Sequence, residues 1–168
     1  IELTPVVINE IAWMGTATST DDEWIELYNP TAQDISLSGW VLRANDNTPA
    51  ITLTNTISAG GYYLLERTDD SAISDIAADQ TYGNDGASWA LVNTGEQLFL
   101  ERVSFGATTT MDQTPAVATC GGWCAGINTT ASNRKTMERY SASVPGADSA
   151  NWATALGEFI LNGEDANG

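Results

Sequence analysis

Three glutamates near the start of the chain lie in stretches where polar and apolar residues alternate, and carboxylates in such positions could act on a substrate. Glu10 lies in one stretch, and Glu23 and Glu26 lie in the next. Two carboxylates held roughly 5 to 9 Å apart hydrolyse glycosidic bonds. If the stretches that carry Glu10 and Glu26 pair as strands, that spacing is attainable. The alternative is structural, since strand carboxylates also accept hydrogen bonds from nearby backbone or side-chain groups.

Pairs of aspartates in turn-rich segments could instead hold a cation. Asp21 and Asp22 form one pair, Asp69 and Asp70 form a second, and residues 84–85 add an Asn-Asp step. Calcium binds six to eight oxygen atoms, and acidic loops that a fold brings together could supply them. The spacing does not match an EF-hand loop. The pattern therefore predicts either a calcium site or solvated surface charge, and no other cofactor is indicated.

Histidine is absent, and the two cysteines, Cys120 and Cys124, are separated by Gly-Gly-Trp. Without histidine this chain has no Ser-His-Asp or Cys-His machinery and lacks the usual zinc ligands. Redox pairs are normally spaced C-x-x-C, whereas here three residues intervene. We therefore expect a local disulfide, formed in an oxidising compartment and contributing roughly 2 kcal/mol to stability. Two unpaired buried thiols are the alternative.

The chain is strongly acidic, with 22 Asp and Glu residues against 6 Lys and Arg residues and a formal net charge of −16. This charge repels phosphate backbones and anionic membrane surfaces, so nucleic-acid binding and direct membrane insertion are not expected. No stretch is long and apolar enough to span a bilayer. The remaining partners are cations, neutral glycans, basic proteins or further copies of the chain, although the charge also serves solubility alone.

Short alternating stretches separated by turns are the main structural pattern, and they predict an all-β fold. After residue 105 the chain becomes rich in Thr, Ala, Ser and Gly and is expected to be loop-rich. The expected strands include residues 6–13, 23–28, 40–43 and 62–67, together with a hairpin whose arms are residues 88–92 and 97–103.

Alternation also separates two faces in the region from residue 23 to residue 42. The residues expected in the core are Ile25, Leu27, Ile35, Leu37 and Leu42. Trp24, Glu26 and Tyr28 alternate to the other face, which points outward or toward the C-terminal extension. With Trp123 they form the predicted binding surface, where aromatic rings could stack on sugars or pack against a protein.

Five segments in a fixed order resemble the lamin tail domain as it occurs in bacterial proteins. They are residues 7–11 (VINEI), 23–29 (EWIELYN), 37–40 (LSGW), 59–62 (AGGY) and 91–96 (LVNTGE). The resemblance implies an immunoglobulin-like β-sandwich that brings no catalytic residues. It also implies a secreted or surface protein, since bacterial members often lie beside hydrolases or adhesive domains. We expect one domain over residues 1–168, with a core sandwich at about 5–105 and a loop-rich extension at 106–168.

The expected function is a non-enzymatic structural or interaction module, extracellular or on the cell surface. Exposed sheet edges are sites of strand addition, so homo-oligomers or filaments are one version of this hypothesis. The alternative is a calcium-dependent glycan-binding module accessory to a secreted hydrolase. A hydrolase built on Glu10 and Glu26 is disfavoured by the resemblance. Nuclear members of the family carry basic surfaces that this acidic chain lacks, so a chromatin role is not expected.

Overall fold

The computed structural model of the protein describes residues 5–83 and 89–156. A short helix, α1 (Val117–Cys120), and two 3-10 turns, Ala131–Asn133 and Ser149–Asn151, accompany the strands of these residues. The strands, in chain order, are β1 (Val7–Ala12), β2 (Trp24–Tyr28), β3 (Ile35–Ser36), β4 (Trp40–Ala44), β5 (Ala50–Thr52), β6 (Thr56–Ile57), β7 (Tyr62–Arg67), β8 (Gln80–Tyr82), β9 (Leu98–Ser104), β10 (Ala107–Gln113), β11 (Ile127–Asn128), β12 (Arg134–Lys135), β13 (Met137–Arg139) and β14 (Trp152–Thr154).

Two sheets form a sandwich. The larger sheet has the strand order β14-β13-β1-β2-β7-β8, and the smaller has the order β10-β9-β4-β5. Neighbouring strands run antiparallel, except that β7 and β8 are parallel. Two short ladders, β3 with β6 and β11 with β12, lie outside these sheets. The predicted all-β, immunoglobulin-like sandwich is therefore confirmed.

The core follows from the two-residue period of the strands. Ile25 and Leu27 of β2 are fully buried, and so are Leu37 and Leu42. Ile35 is half-buried and packs against the same hydrophobic cluster, to which both sheets contribute. The predicted core face of residues 23–42 is thus confirmed, with Ile35 at its margin.

The predicted hairpin with arms at residues 88–92 and 97–103 is wrong in its first arm. Residues 89–92 form no strand, and Ser88 lies outside the described residues. β9 pairs instead with β4 on one side and with β10 on the other. The turn between β9 and β10 is Phe105-Gly106, with φ values of +50° and +78°. A bulky residue rarely adopts positive φ, so this turn carries a weak signal in the sequence.

The C-terminal extension contributes strands to both sheets, so the sandwich continues beyond residue 105. β10 forms one edge of the smaller sheet, and β13 and β14 complete the larger sheet beyond β1. The boundary predicted at residue 105 falls at the tip of a hairpin. The Thr-rich composition that favoured loops also suits a strand, because threonine is β-branched. Residues 157–168, the end of the expected extension, lie outside the described residues.

Two irregular strand positions meet where the sheets adjoin. β1 has a register shift between Ile8 and Glu10, and β10 has one between Thr110 and Asp112. Such bulges re-aim side chains and free backbone groups from the ladder. The Ile8 N–H donates to Asp112 Oδ2 over 2.9 Å, so a side chain of the smaller sheet binds the backbone of the larger one.

Candidate functional site

Three glutamates form a row across neighbouring strands of the larger sheet. Glu10 of β1 lies opposite Glu26 of β2 on one side and opposite Glu138 of β13 on the other. Ionised carboxylates in directly opposite positions repel each other, so this arrangement favours the protonated state. The strands that carry Glu10 and Glu26 do pair, as the carboxylate hypothesis requires, but the row contains three carboxyl groups.

Burial controls the protonation of this row. Glu10 and Glu26 are only 5% and 3% exposed. Loss of hydration raises the pKa of Glu10 to about 8 and the pKa of Glu26 to about 7, and the charges of other glutamates in the row add to the rise. Thr136 Oγ1 donates to Glu10, and Asn9 Nδ2 donates to Glu26 over 2.7 Å, which opposes the rise. Carboxyl groups this buried present no open cleft to a sugar chain, and their contacts fit the structural alternative.

The predicted binding surface is not exposed at Trp24 and Glu26, and this expectation is corrected. Both lie on the face of β2 opposite the core residues, as alternation requires, but Trp24 is only 5% exposed. Its cross-strand neighbour Glu66 accepts hydrogen bonds from the N–H groups of Ala72 and Ile73, at 2.9 and 3.0 Å. These bonds bring the connection after β7 onto the same face, where Ala72 and Ile73 are buried. Trp24 is therefore a covered anchor.

Two tyrosines on this face do reach the surface. Tyr28 of β2 lies opposite Tyr62 of β7, and the rings stack with centroids 4.7 Å apart. Tyr62 is 52% exposed, and Tyr28 is half-buried. Partial burial, and next the charge of Glu26, raise the pKa of Tyr62. Sequence reasoning included Tyr28 but missed Tyr62, because the apolar run that follows Tyr62 is typical of a wholly buried strand.

The predicted disulfide between Cys120 and Cys124 is confirmed. It closes the loop that carries Trp123, whose Nε1 donates to the carbonyl of Val92 over 2.8 Å. The Trp123 ring also stacks on Trp13, with centroids 5.9 Å apart. Trp123 is half-buried by contacts within the chain, which hold the disulfide loop against the residues that follow β1.

Each of the four predicted calcium ligands contacts another residue of the chain. The contacts are Asp21 Oδ1 to Arg67 at 3.1 Å, Asp22 Oδ2 to Thr16 at 2.7 Å, Asp69 Oδ1 to Ser71, and Asp70 Oδ1 to the Ala78 N–H at 2.7 Å. Within residues 5–83 and 89–156, no three or more His, Cys, Asp or Glu side chains are grouped so as to hold a metal ion. The Asn84-Asp85 step lies outside this part of the chain. Calcium binding therefore stays a prediction.

Glu23 lies in a second buried polar cluster. Its Oε2 accepts the N–H of Leu91 at 2.9 Å, and its Oε1 lies 3.6 Å from an Arg67 nitrogen. Burial raises the pKa of Glu23 to about 8 despite these two partners. The charge of Glu23 helps burial to raise the pKa of Tyr82, whose buried hydroxyl has no hydrogen-bond partner in the described part of the chain. The contacts make Glu23 a structural anchor for the segment around Leu91.

The β9–β10 hairpin carries an open sheet edge. β10 has seven residues, whereas the other edge strands of the two main sheets, β5, β8 and β14, have three each. Thr108, Thr109 and Thr110 are exposed, and Phe105 at the tip is fully exposed. Among the described residues, none outside β9 hydrogen-bonds to the backbone of residues 107–110. Sequence reasoning predicted that sheet edges matter but did not identify this one.

These features define the class as an immunoglobulin-like β-sandwich. The family model of the Lamin Tail Domain matches residues 3–114, and the chain belongs to this family, whose members are structural and interaction domains. The match covers β1 to β10 and ends before the disulfide loop. No curated protein matches the chain. The described residues include no helix long and apolar enough to cross a membrane.

Proposed function

We propose that the chain is an extracellular or cell-surface structural module that joins protein surfaces, foremost further copies of itself, by strand addition at β10. The observation that carries this proposal is the exposed edge of β10, whose outward backbone groups pair with no described residue. Unpaired N–H and C=O groups along a sheet edge are a template for another strand. The module would thus extend its smaller sheet across a contact between chains.

Over residues 107–110, before its register shift, the β10 edge lacks the charged side chains and the proline that often protect an edge. Proteins block edges with charged side chains, proline or very short strands. Residues 103–111 contain no charged residue and no proline, although the chain holds 22 acidic residues. The opposite edge of the same sheet is β5, which has three residues and directly follows Pro49. The neutral stretch therefore concentrates association on one side of the sandwich.

Placement outside the cell is supported by the disulfide between Cys120 and Cys124, because such bonds persist in oxidising compartments. The net charge of −16 bears on how selectively copies of the chain can associate. Like-charged surfaces repel, so copies of the chain stay apart except where the surface is neutral. Association at β10 would therefore be directional and would not lead to general aggregation.

Light scattering on a size-exclusion column tests this function across micromolar to millimolar protein, at low and high salt and with and without calcium. We expect the mass to rise with concentration, and to rise further with salt, because screening weakens the repulsion between acidic copies. Negative-stain microscopy of any large species then shows whether the polymers are ordered. A monomer under every condition would contradict the proposal.

Glycan binding, in a module accessory to a secreted hydrolase, is a second candidate because of the stacked Tyr28–Tyr62 pair. An exposed aromatic face suits stacking on a sugar ring. Calorimetry against soluble glycans, with and without calcium, should then show binding that Tyr62→Ala removes and Tyr140→Ala retains, since Tyr140 is also exposed. A calcium-dependent rise in Tm would support the calcium part by mass action. Absence of binding by the unaltered protein would eliminate this candidate.

A further inference from the structure

We infer that two copies of the chain pair through β10 as antiparallel strands, with Thr109 of one copy directly opposite Thr109 of the other. This inference rests on the proposed function and specifies the contact. The arrangement has two-fold symmetry, so one patch serves both copies and the contact closes on itself. It merges two four-stranded sheets into one continuous sheet.

The ladder between β9 and β10 determines which backbone groups point away from the sheet. Ser104 and Ala107 flank the two-residue turn and lie opposite each other. Positive φ at both turn residues is typical of the tight turn whose flanking pair is hydrogen-bonded. Inward and outward backbone groups then alternate along an antiparallel strand. Ala107 and Thr109 therefore bond to β9, while Thr108 and Thr110 direct their N–H and C=O groups outward.

Only one register uses both outward residues fully. With Thr109 opposite its own copy, Thr108 lies opposite Thr110 of the second chain, and the reverse pair repeats the contact. Each such pair exchanges two hydrogen bonds. A register centred on Thr108 or on Thr110 keeps one of these pairs at most. The turn limits the edge on one side, and the register shift between Thr110 and Asp112 limits it on the other.

The acidic side chains nearest to the edge are already paired within each chain. Glu101 and Asp112 are the acidic residues nearest to the neutral stretch on either side. Glu101 pairs with Arg43 at 2.7 Å, and Asp112 pairs with Arg139 at 2.6 Å. The edges of two copies can therefore meet without placing unpaired carboxylates against each other. The remaining repulsion comes from distant acids and is screened by salt.

Side chains along the edge suit this pairing. Threonine is β-branched, and Thr–Thr pairs across strands are favourable. The contact is nevertheless small, so the single pairing is weak and gains strength where copies are tethered side by side.

Cysteine cross-linking tests the register. In an antiparallel pair that is not hydrogen-bonded, opposite Cα atoms lie about 4.5 Å apart, within the range that a disulfide spans. Thr109→Cys should therefore give a covalent dimer under mild oxidation. Thr108→Cys is the matched control, because the two substituted positions would be offset along the strands and too far apart to bridge. Equal cross-linking of the two variants would overturn the register.

Removal of one outward N–H tests the edge itself. Thr108→Pro should leave the pairing with β9 intact, because the Thr108 N–H points away from β9 and proline is tolerated where an edge N–H faces solvent. It should raise the dimer dissociation constant by at least about tenfold, whereas Thr108→Val, which keeps the N–H, should retain association. If the proline variant does not fold, the cross-linking result decides. Undiminished association of a folded Thr108→Pro variant would overturn this contact alone, whereas a monomeric unaltered protein would overturn the proposed function.

Discussion

Arg139 of β13 and Asp112 of β10 form a buried ion pair that joins the two sheets. Arg139 Nη1 lies 2.6 Å from Asp112 Oδ2, and the two side chains are 1% and 5% exposed. Nη1 also donates to the carbonyl of Ile8 at 3.1 Å, and Nη2 donates to that of Val144 at 2.6 Å. One arginine thus connects β1, β10 and the segment after β13, and it fastens the C-terminal extension to the sandwich.

Loss of this arginine should destabilise the fold strongly. Arg139→Met leaves Asp112 buried without a counter-charge, and we expect a loss of about 3–5 kcal/mol in the free energy of unfolding. Arg43→Met is the matched control, since the Arg43–Glu101 pair is more exposed and its loss should cost less than the loss of the buried pair. Urea denaturation measures both values. Equal losses in the two variants would contradict the special role of the buried pair.

The glutamate row predicts that stability declines as pH rises. Glu10 has an ordinary pKa of 4.5, and burial raises the folded-state pKa to about 8. Its contribution is fully present below the unfolded pKa and is lost as pH rises through the folded pKa, because the folded protein must then hold a buried charge. Each pKa unit corresponds to roughly 1.4 kcal/mol, so the decline from Glu10 amounts to a few kcal/mol.

Unfolding free energies measured between roughly pH 5 and pH 9 test this pH dependence. Glu10→Gln keeps an oxygen that accepts from Thr136 and removes the titrating group, so it should flatten the slope in this range. Glu26 and Glu23, whose pKa values are also raised by burial, should maintain part of the slope. Asp34→Asn removes an exposed carboxyl group and serves as the control. A slope that Glu10→Gln leaves unchanged would contradict the assignment.

Most of the sandwich could be predicted from the sequence because alternation encodes both a strand and its buried face. Ile25 and Leu27 illustrate this, since their positions in an alternating run suffice to place them in the core. The burial of Trp24 could not be predicted in this way. It depends on the hydrogen bonds that Glu66 accepts from the N–H groups of Ala72 and Ile73, which join segments that no local pattern relates.

The candidate edge was missed for a related reason. β10 begins after a turn in which Phe105 takes positive φ, and such turns are usually signalled by Asn or Gly at that position. Thr108, Thr109 and Thr110 are three consecutive polar residues. They show no alternation of apolar and polar side chains, so periodicity does not indicate a strand here. Exposure of an edge is in addition a property of the assembled sheet, since it depends on which strands find neighbours.

Removal of the disulfide should weaken the fold moderately. Substitution of Cys120 and Cys124 by serine restores freedom to a small loop in the unfolded chain, and we expect a loss of roughly 2 kcal/mol in the free energy of unfolding. Tryptophan fluorescence should change as well, because Trp123 would be held less firmly against Trp13. Reductant should lower the stability of the unaltered protein to that of the serine variant. The serine variant itself should not respond to reductant. Identical stability with and without the bond would contradict this prediction.

Glu66 holds the connection after β7 over Trp24, and removal of its carboxylate should open that segment. Glu66→Ala leaves the buried N–H groups of Ala72 and Ile73 unpaired, at a cost of roughly 1–3 kcal/mol each, whereas Glu66→Gln keeps one acceptor and should cost less. We expect faster hydrogen exchange and proteolysis within residues 68–79, together with red-shifted tryptophan fluorescence as Trp24 meets water. Protection of β1 should persist, because its hydrogen bonds do not involve Glu66. Unchanged exchange in the connection would show that other contacts hold it in place.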